Sequence, residues 1–382
     1  MIYLDNAATT KAYDEVIDYM AELMKSNYGN ASSLHEMGFA STKLVTYANE
    51  QILDMLGLKD RRVIYTSGAT ESANLAIKGI FEKLSDITKH EIITGEIEHP
   101  CVLEVCRHYA ERGVTVKYLP TDKYGAYDLD VLKESMNENT KMVSLMWVNN
   151  ELGSVLDIAK VVNIVKSINK NTLIHIDAVQ GFARLNANFS DVDLITISGH
   201  KFHAPKGVGA LIAKKDMIFH AQNLGGSQQD GFRSGTINSI SIAAMGKACE
   251  LSKCDDGTNL SKVQKHLYDR LCETFSKDMI NSKIDEGNFA PHIMSISFEG
   301  IKSEVILHML EQEKIYVSSA SACFSHKKGE NHVLKAIGRT KAYQDGTIRI
   351  SLSKFNTIKE IDKTVDTLEQ IIKRLSFMKG KK

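Results

Sequence analysis

The sequence lacks the biases that mark specialised proteins. Lys+Arg and Asp+Glu each number 47 among 382 residues, so the formal charge is zero. That balance leaves no overall field to draw the chain to nucleic acid or to a membrane surface. No apolar run approaches the roughly 20 residues of a membrane-spanning helix. Met1-Ile2-Tyr3-Leu4-Asp5 has neither the basic nor the apolar region of a secretion signal, and a cytoplasmic location is expected. The six cysteines (Cys101, Cys106, Cys249, Cys254, Cys272 and Cys323) include no Cys-x-x-Cys pair, and no Cys/His cluster has zinc spacing. No resident metal is expected, and disulfides are not expected in a cytosolic chain. There is no internal repeat, no low-complexity stretch and no Gly-x-x-x-x-Gly-Lys-Ser/Thr nucleotide loop.

What is present reads as a soluble enzyme-sized chain. Hydrophobic residues make up 43% and charged residues 25%, enough for a large core and a second, smaller one. From about residue 60 to 215, short apolar runs (63–65, 91–94, 114–118, 142–147, 173–176, 194–197, 210–213) alternate with helical patterns at 71–80, 102–112 and 158–168. This rhythm predicts an α/β fold with a mostly parallel sheet covered by helices on both faces. After about residue 256 the order changes. Helices at 260–275, 304–313 and 357–377 mix with strands at 294–298, 315–317 and 347–351, which predicts a smaller α+β domain. The expected division is a large domain over 13–255 and a small one made of 1–12 and 256–382, the first dozen residues packing across the junction.

In a parallel sheet, ligands collect where strands end, and five successive ends carry polar groups. They are Thr66-Ser67-Gly68-Ala69-Thr70-Glu71-Ser72, Glu98-His99-Pro100, Asn149-Asn150-Glu151, Asp177-Ala178-Val179-Gln180 and Ser198-Gly199-His200-Lys201. Taken singly, each has a plain reading: an N-cap, a turn, or a solvated lysine. Together they place a lysine near an acid. Pyridoxal phosphate (PLP) chemistry needs that pair, the amine to bond the aldehyde and the acid to keep the pyridine nitrogen protonated.

These segments resemble those of the cysteine desulfurases, in the class V branch of PLP fold-type I enzymes. Further matches are Tyr3–Thr10, Gly29–His35, Arg233-Ser234-Gly235-Thr236, Ser318–Cys323 and Thr347-Ile348-Arg349. The resemblance runs through nearly the whole chain in family order. It implies a PLP fold-type I large domain and a homodimer. Lys201 would hold PLP and move protons, Asp177 would pair with the pyridine nitrogen, and Gln180 would bind the ring oxygen. His99 would stack on the ring as acid and base. Ala69, Thr70, Ser198 and His200 would bind the phosphate, and Thr236 would reach the phosphate of the other subunit. Asn150 and Arg349 would hold the carboxylate of L-cysteine. The family glycine-rich stretch is altered to Gly225-Gly226-Ser227-Gln228-Gln229-Asp230, and Asn30-Ala31 stands where Asn-Pro is usual.

Cys323 separates this activity from transamination, which needs no thiol. It follows the small, polar run Ser318–Ala322 and precedes His326, Lys327 and Lys328, whose charge would lower the thiol pKa. Without its company it would read as a free surface thiol. With it, the resemblance implies that Cys323 takes the sulfur as a persulfide, leaves alanine, and passes the sulfur to an acceptor protein: an iron–sulfur scaffold, or one serving tRNA or thiamine thiolation. It would also serve as a transient ligand of an iron–sulfur cluster. The other five cysteines are expected to be buried or inert. Selenocysteine lyase, another class V PLP enzyme, and a non-catalytic partner-binding platform stay open as alternatives.

Overall fold

The structure is a computed structural model that describes residues 1–254, 257–285, 287–319 and 330–379. Cys323 lies outside the described residues. The described strands, in chain order, are β1 (Ile2–Tyr3), β2 (Arg61–Thr66), β3 (Glu91–Gly95), β4 (Thr115–Leu119), β5 (Thr140–Met146), β6 (Leu173–Asp177), β7 (Leu194–Ser198), β8 (Gly209–Lys214), β9 (Ile293–Ser297), β10 (Ile315–Tyr316), β11 (Ser318–Ser319) and β12 (Thr347–Ser351).

Among these, seven strands form one sheet in the order β2-β8-β7-β6-β5-β3-β4. Only β8 runs against the rest; it pairs antiparallel with β2 and β7, and the other ladders are parallel. The expected mostly parallel α/β sheet is therefore present. Its strands are aliphatic on both sides because helices cover both. Neighbouring residues divide between the two faces: Ile92, Met142, Leu194 and Leu211 join one core, and Ile93, Val143, Ile195 and Ile212 join the other. Helices Ala69–Phe81 and Pro100–Glu111 cover the first face. Helices Asp14–Ser26, Glu36–Met55, Ile158–Ile168 and Ser239–Lys253 cover the second. Sequence signals set several helix starts. Asp157 Oδ1 accepts from Lys160 N at 3.0 Å, a side-chain N-cap. Thr357 and Glu360 close a reciprocal capping box ahead of helix Ile358–Lys379.

The C-terminal elements build an antiparallel sheet, β11-β12-β9, under helices Thr258–Thr274, Ser303–Gln312 and Ile358–Lys379. Val263, Leu267, Ile296, Leu310, Ile348 and Val365 fill this core together with Ile2 and Leu4 from the start of the chain. β1 pairs with β10 in parallel. Asn6 Nδ2 donates to Ser351 O at 3.0 Å. Thr10 N then donates to His200 O at 2.9 Å, so the opening segment ties the C-terminal sheet to the end of β7. Cys101, Cys106 and Cys249 are buried. Cys254 is exposed, because it is the C-cap of helix Ser239–Lys253, where the chain leaves the core. Among the described residues no helix is long and apolar enough to cross a membrane.

Candidate active site

Because the parallel strands end along one edge, the residues after β2, β3, β5, β6 and β7 surround a common cavity of about 780 Å³. Ala69, Thr70, His99, Asn150, Asp177, Gln180, Ser198, His200, Lys201 and Arg349 all line it. Thr236 does not line it; its side chain is exposed. Gly68, with φ 156° and ψ −174°, takes a backbone conformation closed to residues with a Cβ. That turn starts helix Ala69–Phe81 at the cavity wall, where first-turn N–H groups have no partner inside the helix and favour an anion. Gly209 on β8 permits the approach, since a Cβ there would meet Gly68 Cα at 2.7 Å.

Under the cavity, the first face of the sheet turns from aliphatic to polar. Ser144, His175 and Thr196 lie two residues before Met146, Asp177 and Ser198 and share their face. The His175 ring bridges Ser144 Oγ at 2.8 Å and Thr196 Oγ1 at 2.9 Å. Burial holds this imidazole at about 4, so it is neutral near pH 7.

Lys201 ends a short turn after β7, and its Nζ donates to Ala7 O at 2.8 Å and Ala8 O at 2.7 Å. Asp177 is buried, and Oδ1 accepts from Val179 N at 3.0 Å. Burial lifts its carboxyl to about 6, against the pull of the Val179 N–H and the Lys201 charge. Gln180 Nε2 donates to Ala7 O at 2.8 Å, while its buried Oε1 has no partner among the described residues. His99 caps helix Pro100–Glu111, its Nδ1 accepting from Cys101 N at 3.2 Å. Burial, then the charges of Lys201 and His332, lowers its pKa to about 4. The ring is neutral, with its proton on Nε2. His200 Nδ1 lies 3.2 Å from Thr9 Oγ1 and is held at about 4 by burial and by Lys201 and Lys206.

Arg349 reaches the cavity from β12. Its Nη1 donates to Asn150 O at 2.8 Å and Nη2 to Asp5 Oδ1 at 3.0 Å. Asp5, Ala7 and Ala8 are parts of the site that sequence reasoning left without roles. The Tyr3–Thr10 match was the available signal, and two of these residues act through backbone carbonyls. Glu98, next to His99 in the chain, is a further group of the site whose role no motif signals. It is fully buried, and Oε1 accepts from Tyr127 Oη and, at 2.8 Å, from Met146 N. Burial raises it to about 8, opposed by the Tyr127 and Met146 hydrogen bonds and helped by the Asp177 charge. No local pattern links Tyr127 to this place.

An amine, a buried acid, a neutral imidazole, a helix N-terminus and a guanidinium thus face one space. A model of the aminotransferase class-V family matches residues 2–364. A cysteine desulfurase of Trichormus azollae is 38% identical over 379 residues, covering 98% of this chain and 94% of that one. A cysteine desulfurase IscS of Dictyoglomus turgidum is 37% identical over 378 residues, covering 98% and 95%. Among solved structures, a NifS-like protein aligns with a TM-score of 0.89 at 34% identity, over 98% of this chain and 99% of that one. SspA in complex with cysteine aligns with a TM-score of 0.81 at 29% identity, over 94% and 100%. Matched along nearly its whole length, the chain belongs to the class-V aminotransferase family, among its cysteine desulfurases.

Proposed function

We propose that the protein removes sulfur from L-cysteine with the help of PLP, releases L-alanine, and carries the sulfur as a persulfide on Cys323 to an acceptor protein. The observation that carries this reading is the meeting of Lys201, Asp177, His99 and Arg349 on one cavity. The neighbour SspA in complex with cysteine supports the choice of substrate.

The residues fit the coenzyme. An amine, a buried acid and a helix N-terminus match an aldehyde, a pyridine nitrogen and a phosphate, and the partnerless Gln180 Oε1 marks a polar position for the ring. Lys201 would hold the aldehyde, Asp177 the ring nitrogen, and Gln180 the ring oxygen. His99 would cover the ring, and Ala69 N–H, Thr70, Ser198 and His200 would hold the phosphate. When bound, PLP supplies an electron sink that weakens the bonds at the substrate's Cα and its C–S bond.

The chain's own groups do the rest. Arg349 grips the substrate carboxylate through its planar fork, aimed by Asp5 and the Asn150 carbonyl. The Lys201 amine takes a proton from Cα, and the neutral His99 ring gives or accepts one at Nε2. The Cys323 thiolate attacks the substrate sulfur. A sulfur–sulfur bond forms and the C–S bond breaks. Its electron pair leaves with carbon and is captured by a proton, giving alanine.

The exposed Thr236, off its own cavity, suits a residue that serves the site of a second copy in a homodimer. The division into 13–255 and 1–12 with 256–382 is supported by the separate core that Ile2 and Leu4 share with the C-terminal elements, while Ala7, Ala290 and Ile293 pack with the large core.

Mass spectrometry tests the reading directly. After exposure to L-cysteine, the peptide bearing Cys323 should gain one sulfur. Cys323→Ala should keep the coenzyme's spectral response to cysteine yet release no sulfide with a reductant. Sulfide release at the parent rate would refute the persulfide role.

A further inference from the structure

Helix His332–Ala336 begins soon after Cys323 in the chain. Asn331 is buried and caps it, Oδ1 accepting from Leu334 N at 2.9 Å. Its Nδ2 donates to Glu151 Oε2 at 2.8 Å. His332 Nε2 lies 2.9 Å from Glu98 O. On the apolar side, Val333, Leu334 and Ile337 pack with Ile97 and Leu152 in a small cluster apart from the larger cores.

These contacts fall in a pattern. Glu98 is the neighbour of His99, and Glu151 is the neighbour of Asn150, whose carbonyl aims Arg349. Ile97 and Leu152 are the next residues outward. The helix that follows the Cys323 stretch is therefore seated on the two loops that present the imidazole and the substrate-binding group. Before that stretch, Ser318 and Ser319 pair with Arg349 and Ile348.

We propose that the Asn331–Glu151 hydrogen bond is a positioning contact for sulfur transfer: it sets where the chain beyond Cys323 rejoins the body of the protein, relative to His99 and Asn150. The proposal rests on the function given above. A buried donor and acceptor hold such a junction firmly, because a hydrogen bond lost away from water is not replaced by one to solvent. Neither residue lines the cavity, so the contact should bear on sulfur transfer more than on the steps before it.

A swap of partners tests this. Asn331→Asp keeps the cap, since Asp and Asn serve equally there, but sets a second carboxyl against Glu151. Asn331→Asp combined with Glu151→Gln restores one donor and one acceptor in exchanged places. Asn331→Ser also keeps the cap and removes the Nδ2 donor without adding charge, and it stands in if the Asp variant does not fold. Rapid-quench turnover with L-cysteine, followed by mass spectrometry of the Cys323 peptide, reads sulfur transfer. The change in coenzyme absorbance reads the steps before it.

Each single variant at Asn331 should slow sulfur addition by about tenfold or more while the absorbance change keeps its parent rate. The double variant should recover to within about threefold of the parent. Sulfur addition at the parent rate in the single variants, equal slowing of both readouts, or a double variant no better than Asn331→Asp would each overturn the proposal. A parent enzyme that gains no sulfur on Cys323 would instead sink the function on which the proposal rests.

Discussion

Glu98 shows how much one buried side chain can set. Its carboxyl takes the place of a ladder partner for Met146 N at the end of β5, and its carbonyl meets His332. Burial favours the protonated acid, raising it from the ordinary 4.5 to about 8. A group raised in this way stabilises the fold most below its unfolded pKa, and the contribution fades as pH climbs through the folded value. The contribution of Glu98 should therefore fall between pH 4.5 and pH 8. Glu98→Gln, neutral at every pH, should lose less stability over that window. Thermal unfolding at both ends of it decides the matter: equal falls in Tm for parent and variant would mean that Glu98 ionises without penalty.

At the scale of elements, the sheet carries a polar belt across three adjacent strands, Ser144 on β5, His175 on β6 and Thr196 on β7. The neutral ring accepts one bond and donates the other, and a protonated ring could no longer accept one in this fully buried place. His175 is depressed from 6.5 to about 4 by burial, so its contribution is complete above the unfolded value and is lost as pH falls through the window. The linkage is worth on the order of 3 kcal/mol. His175→Gln should flatten the acid side of the stability curve by an amount of that order, as chemical denaturation at pH 6.5 and pH 4.5 would reveal. A curve unchanged in steepness would contradict it.

The same scale shows what could be read from the residues alone. The strands of the large sheet are short β-branched runs bounded by turns, and helix Ile158–Ile168 has one clean apolar stripe behind a capping aspartate, so both were legible. Helices Glu36–Met55 and Ser239–Lys253 were passed over. Ser239–Lys253 is buried on nearly all sides (Ser241, Ala244, Met245 and Cys249 among others), and a helix with no wet face has no stripe to detect. Small residues bring the two helices together: a Cβ on Gly246 would meet Ala48 Cα at 2.8 Å. The site was legible where side chains act (Lys201, Asp177, His99, Arg349). It was dark where backbone acts, as at Ala7 and Ala8, or where a distant residue such as Tyr127 closes a contact. The altered stretch before Arg233 also finds a use. Gln229 bonds both Tyr65 N, at 2.7 Å, and Tyr65 O, at 2.9 Å, covering the outer edge of β2 as a neighbouring strand would.

For the whole molecule, the proposal that Thr236 serves a second copy can be put to a complementation experiment. Lys201→Ala and Thr236→Ala each spoil one contribution to a shared site. Mixed and allowed to exchange subunits, the two variants should regain activity, because a hybrid dimer holds one site with both residues intact. If the mixture stays as poor as its parts, Thr236 serves its own chain.

The strap formed by Tyr3–Thr10 also dictates an order of events at the ribosome. These residues leave the ribosome long before their partners: Asn6 bonds to Ser351, 345 positions further on, and β1 pairs with β10. The strap whose carbonyls seat Lys201 therefore gains its contacts in two stages, the first from Gln180 and His200 and the second, much later, from Ser351. The nascent chain can fold its large sheet early, but it cannot complete a coenzyme-ready pocket until β12 has been made.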